Sequence, residues 1–362
     1  MALPTIASLG ATVPQLVIAS AASAAPMGAQ VYVEQVAARA AGALAACDDG
    51  WDVQRRVFRS MRSPLPGTHR LPAGLLARAG STVRAGVGRV VYPRGALVHR
   101  MSLELPPAPR EVVTLHDVVA WRFADESAPV RSAAAELRRA AAVVCVSQFT
   151  ADEAVALLGV RTTVVVPNGV DDVFFDAPAA SPNVLNGLGI QGRFVLHAGG
   201  ASARKNLEAL ALAWPIVRRE HPDLILVLTG PPHPRRDALF AGMPGAHLLG
   251  RLPDALVPGI VAAAAVVVVP STYEGFGLPV LEAMAARVPV VVARTSALPE
   301  VVGDGGLLVD PAPGTLAEGV LSVLAGGPDV AAMVRRGRSR AGHFTWDRSV
   351  AGHAAVWAAA MS

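Results

Sequence analysis

Short apolar runs alternate with amphipathic stretches along this chain. The run 16–20 (Leu-Val-Ile-Ala-Ser) predicts a buried strand, and 31–44, with Tyr32, Val36 and Ala40 at helical spacing, predicts a helix. Further strands are expected at 89–92, 111–115, 142–146 and 164–166, with a helix over 129–139 leading into the strand at 142. The strand at 164–166 ends at the turn Pro167-Asn168-Gly169. Residues 176–192, rich in Pro, Ala, Ser, Asn and Gly, read as a linker. A second series begins at Arg193, with strands at 194–198, 224–229, 247–249, 266–269 and 288–293 and helices over 207–219, 255–264 and 278–286. An Ala-rich helix over 346–361 closes the chain. This βα rhythm argues for parallel sheets. The expectation is two doubly wound domains, 1–180 and 181–345, followed by the final helix, 346–362. Ligands of such sheets bind outside the carboxyl ends of the strands, in the cleft between the domains.

Composition fits that picture. Of 362 residues, 52% are apolar and 17% charged, enough for two buried cores and too apolar for disorder. Cys47 and Cys145 lie far apart, in no metal-like spacing, and read as buried free thiols suited to a reducing cytosol. Residues 1–26 are apolar but carry no Lys or Arg, the first being Arg39, so the basic segment of a signal peptide is missing. The run 260–269, bounded by Pro258 and Pro270, is too short to span a bilayer.

The net charge of +4 is unevenly spread. Arg55, Arg56, Arg59, Arg62, Arg70, Arg78, Arg84, Arg89, Arg94, Arg100 and Arg110 fall in one stretch whose only acids are Asp52 and Glu104. The patch suits an anionic membrane or an acidic acceptor, or is simply an arginine-rich surface. Nucleic acid is disfavoured, because no aromatic interleaving or binding motif accompanies the arginines.

Three segments carry candidate chemistry. In 271–282 an apolar strand runs into a Gly-containing loop and then a helix; Gly275 and Gly277 permit close backbone approach, and Glu274 and Glu282 bracket the turn. Carboxylates there can accept paired hydrogen bonds from vicinal hydroxyls, as in a sugar or ribose. In 197–207, again strand, loop and helix start, Gly199 and Gly200 clear space ahead of Arg204 and Lys205. Two cations at a helix start are unfavourable unless an anion joins them, and a diphosphate would do so. His116-Asp117 follows the strand at 111–115, where a histidine can hydrogen-bond a hydroxyl or serve structure alone. The loop 21–30, with Gly28, is the weakest candidate.

Together these motifs resemble the GT4-type family of retaining glycosyltransferases. The likeness is carried by Pro270-Ser-Thr-Tyr-Glu-Gly-Phe-Gly-Leu-Pro279 with Glu282, by Gly199 to Leu207, by Leu249-Gly-Arg-Leu252, by the 296–305 segment and by Phe344-Thr-Trp346. In the first half it is carried by 114–117, 146–150 and 167–171. It is close over 110–350 and loose before. The resemblance implies a GT-B fold: two facing Rossmann-like domains, the first for the acceptor and the second for a nucleotide sugar, with the last helix returning to the first. It implies that Arg204 and Lys205 hold the donor diphosphate, that Glu282 binds the ribose, and that Glu274 sits by the transferred sugar. Gly199, Gly200, Leu252, Phe276, Gly277 and Leu278 would line the donor site, His116 would touch the donor sugar, and Gly28 would lie in the N-terminal glycine loop. That loop has one glycine here where many members have two. The donor would be GDP-mannose, a UDP-hexose or a dTDP-sugar, and the acceptor a glycan or lipid-linked sugar. No cofactor and no divalent metal are implied, and no Asp-x-Asp triplet occurs in the chain. The expected location is cytoplasmic, with contact between the arginine stretch and the inner face of the plasma membrane. A sugar-nucleotide epimerase of the same architecture and a silent sugar-binding scaffold are the competing readings.

Overall fold

The computed structural model describes residues 13–23, 28–47 and 50–362. Two parallel sheets dominate it. The first contains β1 (Gln15–Ala21), β2 (Asp52–Ser60), β3 (His69–Leu71), β4 (Leu97–Arg100), β5 (Glu111–Leu115), β6 (Ala142–Cys145) and β7 (Thr163–Val165), in the order β3-β2-β1-β4-β5-β6-β7. The second contains β8 (Phe194–Ala198), β9 (Ile225–Thr229), β10 (Ala246–Gly250), β11 (Val266–Val269), β12 (Val290–Ala293) and β13 (Leu307–Val309), in the order β10-β9-β8-β11-β12-β13. The strand order reverses between β1 and β4 in one sheet and between β8 and β11 in the other. At such a point neighbouring loops leave in opposite directions and open a crevice for a ligand.

The last helix, Trp346–Met361, forms as expected, with Thr345 accepting the Arg348 amide as its cap. It packs on the helix Gly28–Ala45 and on β4, β5 and β6, so the chain ends against the first sheet. A buried polar chain joins them. The Trp357 indole donates to His99 Nδ1 (3.1 Å), leaving His99 Nε2–H to donate to Thr114 Oγ1 (2.8 Å). Thr114 and Tyr32 hydroxyls bond at 2.8 Å, and Tyr32 reaches His353 Nε2 at 2.6 Å. His353 Nδ1 meets the Ser349 carbonyl at 2.7 Å and must carry the proton there. One direction of donation satisfies every member, with both histidines neutral.

The arginine stretch is partly internal. Arg84 and Arg100 are fully buried, and Glu136 pairs with both at 2.7 and 2.9 Å, while Arg100 also holds Glu111. Their remaining donors take the carbonyls of Leu103 and Leu105, pinning the loop that leads to β5. Removing one carboxylate from such a cluster would cost about 3–5 kcal/mol, because a buried guanidinium would lose its counter-charge.

Several expectations are corrected. Residues 89–92 are not a strand but the end of the helix Ser81–Val91, whose buried face is Arg84 and Gly88 rather than an apolar stripe. The helix expected over 129–139 shortens to Ala133–Leu137. The 176–192 stretch contains the helix Pro182–Gly187, capped by Ser181, with Pro182 at its start. Cys145 is buried but Cys47 is exposed. β2, β3, β4 and β13 were not foreseen, and the start of the 1–26 segment and residues 24–27 of the N-terminal loop lie outside the described residues.

Burial holds His353 and His116 down at about 4, and holds His99 well below the ordinary imidazole range. Each takes up a proton more readily when unfolded, so their contribution to stability is full above about pH 6.5 and is lost as pH falls toward 4. The urea midpoint should therefore drop between pH 6.5 and 5, above the range where most carboxylates titrate, and His353→Gln should flatten that drop. An unchanged midpoint over this window would contradict the neutral network.

Candidate functional site

The loops after β8 and β11, neighbours at the reversal point of the second sheet, carry the main charges. After β8 the chain makes a single 3-10 turn, Ala203–Lys205, and passes through left-handed Asn206 (φ 54°) into the helix Leu207–Glu220. Arg204 and Lys205 thus precede the helix instead of opening it. Asn206 fixes the junction by donating to the carbonyls of Pro270 and Pro311 at 3.0 and 2.9 Å. The Thr272 amide bonds the Arg204 carbonyl at 2.8 Å, stitching the two loops together.

Glu274 lies where both cations meet it. Lys205 Nζ is 2.6 Å from Oε1, Arg204 Nη1 is 3.1 Å from Oε2, and Ser271 Oγ donates at 2.7 Å. Burial raises the Glu274 carboxyl, but Lys205 and Arg204 outweigh it and hold the group below its usual range. The charge at 274 therefore has a structural partner, which its position between a strand end and a glycine turn did not suggest. Arg204 also reaches across to the first half, 2.9 Å from Glu126, while Asp125 accepts the Ala203 amide at 2.7 Å.

The glycine turn serves this inter-half contact. A Cβ on Gly275 would lie 2.0 Å from the His116 carbonyl, so only glycine lets the loop dock there. Ser147 donates to the Gly275 carbonyl at 2.6 Å. Tyr273 is held between Phe123 and Phe149 of the first half. The close approach expected toward a ligand is thus made by Gly275 to protein backbone. Gly277 (φ 113°) starts the helix Leu278–Ala285, and Phe276 is buried against Phe344. Glu300 accepts the amides of Gln148 and Phe149, both at 3.0 Å, at the start of the helix Gln148–Leu158. Its negative charge suits that helix end.

Glu282, one turn inside its helix, does not share Glu274's surroundings. It lines a cavity of about 500 Å³ with Leu278, Gln30, Gln35, Asp171 and Trp346, among others. Burial and the nearby Asp171 raise its carboxyl to about 7. Gly28, the exposed first residue of its helix, faces Leu278 at this mouth. A second cavity of about 460 Å³ is lined by His116, Asp117, Gln30, Met101 and Trp121 together with Ala21 and Ala22 at the end of β1. His116 packs edge-on against Tyr32, with ring centres 4.8 Å apart, and its buried Nε2 has no partner among the described residues. His197, at the end of β8, bonds the Val268 carbonyl and likewise has a buried, unpartnered Nε2. The Gly199 amide completes the β8–β9 edge, and its carbonyl accepts from Arg236. Gly200 has open space beside it, and Leu252 is buried just past the end of β10.

The structure therefore brings Arg204, Lys205 and Glu274 into one cluster and places Glu282 and His116 on separate cavities at the carboxyl ends of the sheets. Sequence reasoning did not reach Glu126, Tyr273 or the Tyr32–His353 chain. Of these, Tyr273 stood inside a recognised motif, while Glu126 had no signal, since its partner lies 78 residues away. Among the described residues, no group of three His, Cys, Asp or Glu side chains is placed to hold a metal.

Comparison with known proteins bears on the family and the fold. A model described as "Glycosyltransferase Family 4" matches residues 28–174, and one described as "Glycosyl transferases group 1" matches 192–326. O-antigen chain mannosyltransferase B of Escherichia coli is 32% identical over 240 residues, covering 60% of this chain and 60% of that protein. GDP-mannose-dependent alpha-(1-6)-phosphatidylinositol dimannoside mannosyltransferase of Mycobacterium tuberculosis is 32% identical over 243 residues, covering 64% and 63%. The matches thus span somewhat less than two thirds of these relatives. Sucrose-phosphate synthase from Thermosynechococcus elongatus superposes with a TM-score of 0.71 at 24% identity, over 93% of this chain and 96% of that one. Anabaena HepE, solved with UDP-glucose, gives 0.70 at 20% identity, over 94% and 98%. At such identities the structural likeness speaks to fold, and the fold is the facing pair of doubly wound domains with a returning last helix. From the matched segments and this architecture together, the chain belongs to the GT4-type glycosyltransferase family and has the GT-B fold.

Proposed function

We propose that this chain is a retaining hexosyltransferase that takes its sugar from a nucleotide diphosphate donor, with GDP-mannose the first donor to test, and passes it to a glycan or lipid-linked acceptor. The observation that carries the reading is the Arg204–Lys205–Glu274 cluster at the reversal point of the second sheet. Breaking an anomeric C–O bond leaves negative charge on the departing diphosphate, and fixed cations stabilise it most where they need not reorganise. Lys205 supplies a point charge and Arg204 a fork of donors. With those cations in this role the chemistry calls on no divalent metal. Glu274, released from them by the phosphates, is placed to accept hydroxyls of the sugar. Glu282 accepts the ribose hydroxyls in its own cavity. Neutral His116 suits a hydrogen bond to the sugar better than proton removal, since its low basicity makes it a weak base. The mannosyltransferase names of the relatives support the choice of donor.

We place the enzyme in the cytoplasm, with the outer edge of the first domain on an anionic membrane. Arg62, Arg78, Arg89 and Arg94 are exposed and have no side-chain partner among the described residues. Leu75 and Val90, 75% and 84% exposed, share the stretch with exposed Met61 and Val83. Cations interleaved with exposed apolar side chains suit the headgroup region. No single helix among the described residues is long and apolar enough to cross a membrane.

Lys205→Ala and Glu274→Ala should each reduce sugar transfer or donor hydrolysis by about a hundredfold or more, on the scale of losing one charge-stabilising group. The check is NMR on a donor panel: appearance of an epimer in place of free or transferred sugar would favour the isomerase, and full activity in either variant would overturn the site. In a flotation assay, anionic vesicles should recover more protein than neutral ones, and Arg78→Glu with Arg89→Glu should abolish the difference. Equal recovery of the unaltered protein on both would remove the membrane contact.

A further inference from the structure

Next to the His116 cavity is a smaller one of about 250 Å³, on the side of the first sheet toward β2. Ala21, Ala22 and Glu104 line both, so the two adjoin along the end of β1. The walls of the smaller cavity are mostly apolar, with Phe58, Leu65, Leu71, Leu76 and Leu105. One cation, Arg59, also lines it.

The setting of half-buried Arg59 differs from that of Arg84 and Arg100; it shares the lack of a carboxylate with Arg236, which lies outside this cavity and donates to the carbonyls of Pro231 and Gly199. Arg84 and Arg100 each face a carboxylate within 3.0 Å. Among the described residues Arg59 faces none: it makes no ion pair with them, and its Nη1 donates only to the carbonyls of Ser63 and Leu65, at 3.3 and 3.0 Å. Its Nε is buried and has no partner. Glu104, exposed at the rim, does not pair with it. A guanidinium nitrogen drawn from water without a counter-charge is costly, and a bound anion resolves that cost. Ser60 and Ser63 on the same wall add hydroxyl donors.

We infer that this cavity is a subsite for an anionic group, a phosphate or carboxylate, carried by the acceptor, and that Arg59 is the residue that selects for it. The inference rests on the transferase reading above and deepens it, since it names the class of acceptor. The acceptor's reacting hydroxyl occupies the His116 cavity while its anion lies against Arg59, and the apolar walls exclude water around that pair. The cavity also borders the helix Ala73–Arg78, which holds Leu75 and Arg78 on its exposed face, so an acceptor anchored at a membrane would enter from that side.

Binding and turnover test this separately. In a Lys205→Ala background, which removes one of the two diphosphate cations, methyl phosphate and methyl glucuronide should each be tried at millimolar concentration in a thermal-shift titration. A rise with either that is absent in Lys205→Ala/Arg59→Met supports the subsite, and the compound that acts tells phosphate from carboxylate. No rise with either, or a rise that persists in the double variant, overturns it. Arg59→Lys, which keeps the charge, should retain part of the rise and so separates loss of the site from loss of the fold. In transfer assays, kcat/KM for a phosphorylated or uronate acceptor relative to its neutral parent should fall roughly ten- to hundredfold in Arg59→Met, the worth of a charge-assisted hydrogen bond. An unchanged ratio overturns the proposal. Failure of the unaltered protein to consume any donor would instead count against the transferase reading, and the binding titration would still decide the subsite.

Discussion

The site depends on one electrostatic arrangement: two cations on the loop after β8 share a carboxylate on the loop after β11. Adjacent parallel strands whose connections run to opposite faces make that meeting possible, because their loops separate only after leaving the sheet. Asn206, in a left-handed conformation and bonded to Pro270 and Pro311, sets where the cations stand. Glu274 keeps the cluster charged within a buried setting. The same arginine reaches Glu126 in the first half, so the charge centre is also a joint between domains. On the proposed reading, a ligand bearing two phosphates would compete with carboxylates on both sides of the cleft and so would link donor binding to the contact between the halves.

The second half was largely legible in the sequence. Buried parallel strands such as β11 are unbroken Val runs, and the helices between them keep a clean apolar face. The first half was not. β2 reads Asp-Val-Gln-Arg-Arg-Val-Phe-Arg-Ser, with few apolar positions, because its arginine stems lie along a half-buried surface. The helix Ser81–Val91 was misread for a related reason: its inner face is Arg84, whose carboxylate partner Glu136 lies 52 residues on. Polarity alone does not betray a buried charge whose partner is remote in sequence.

The site followed the same division. Arg204, Lys205 and Glu274 stood in strand–glycine–helix segments, where local rules apply. Tyr273 and Gly275 lay in the same motif, but their roles concern a surface on the other domain that no local rule describes. The chain from Trp357 through His99, Thr114 and Tyr32 to His353 joins four elements, and its members are ordinary core residues by pattern. It sets a neutral, hydrogen-bonded wall beside His116 and ties the last helix to the first sheet, although of that helix only Trp346 stood in a recognised motif.

The central claim is that Lys205 and Arg204 stand where they do for two linked phosphates. Calorimetric titration with a nucleoside diphosphate and the matching monophosphate tests it most directly. In the unaltered protein the second phosphate should tighten binding by about tenfold or more, the worth of a charge-assisted contact. In Lys205→Ala most of that advantage should vanish while affinity for the monophosphate stays within a few-fold. A variant that kept the full preference for the diphosphate would contradict the account.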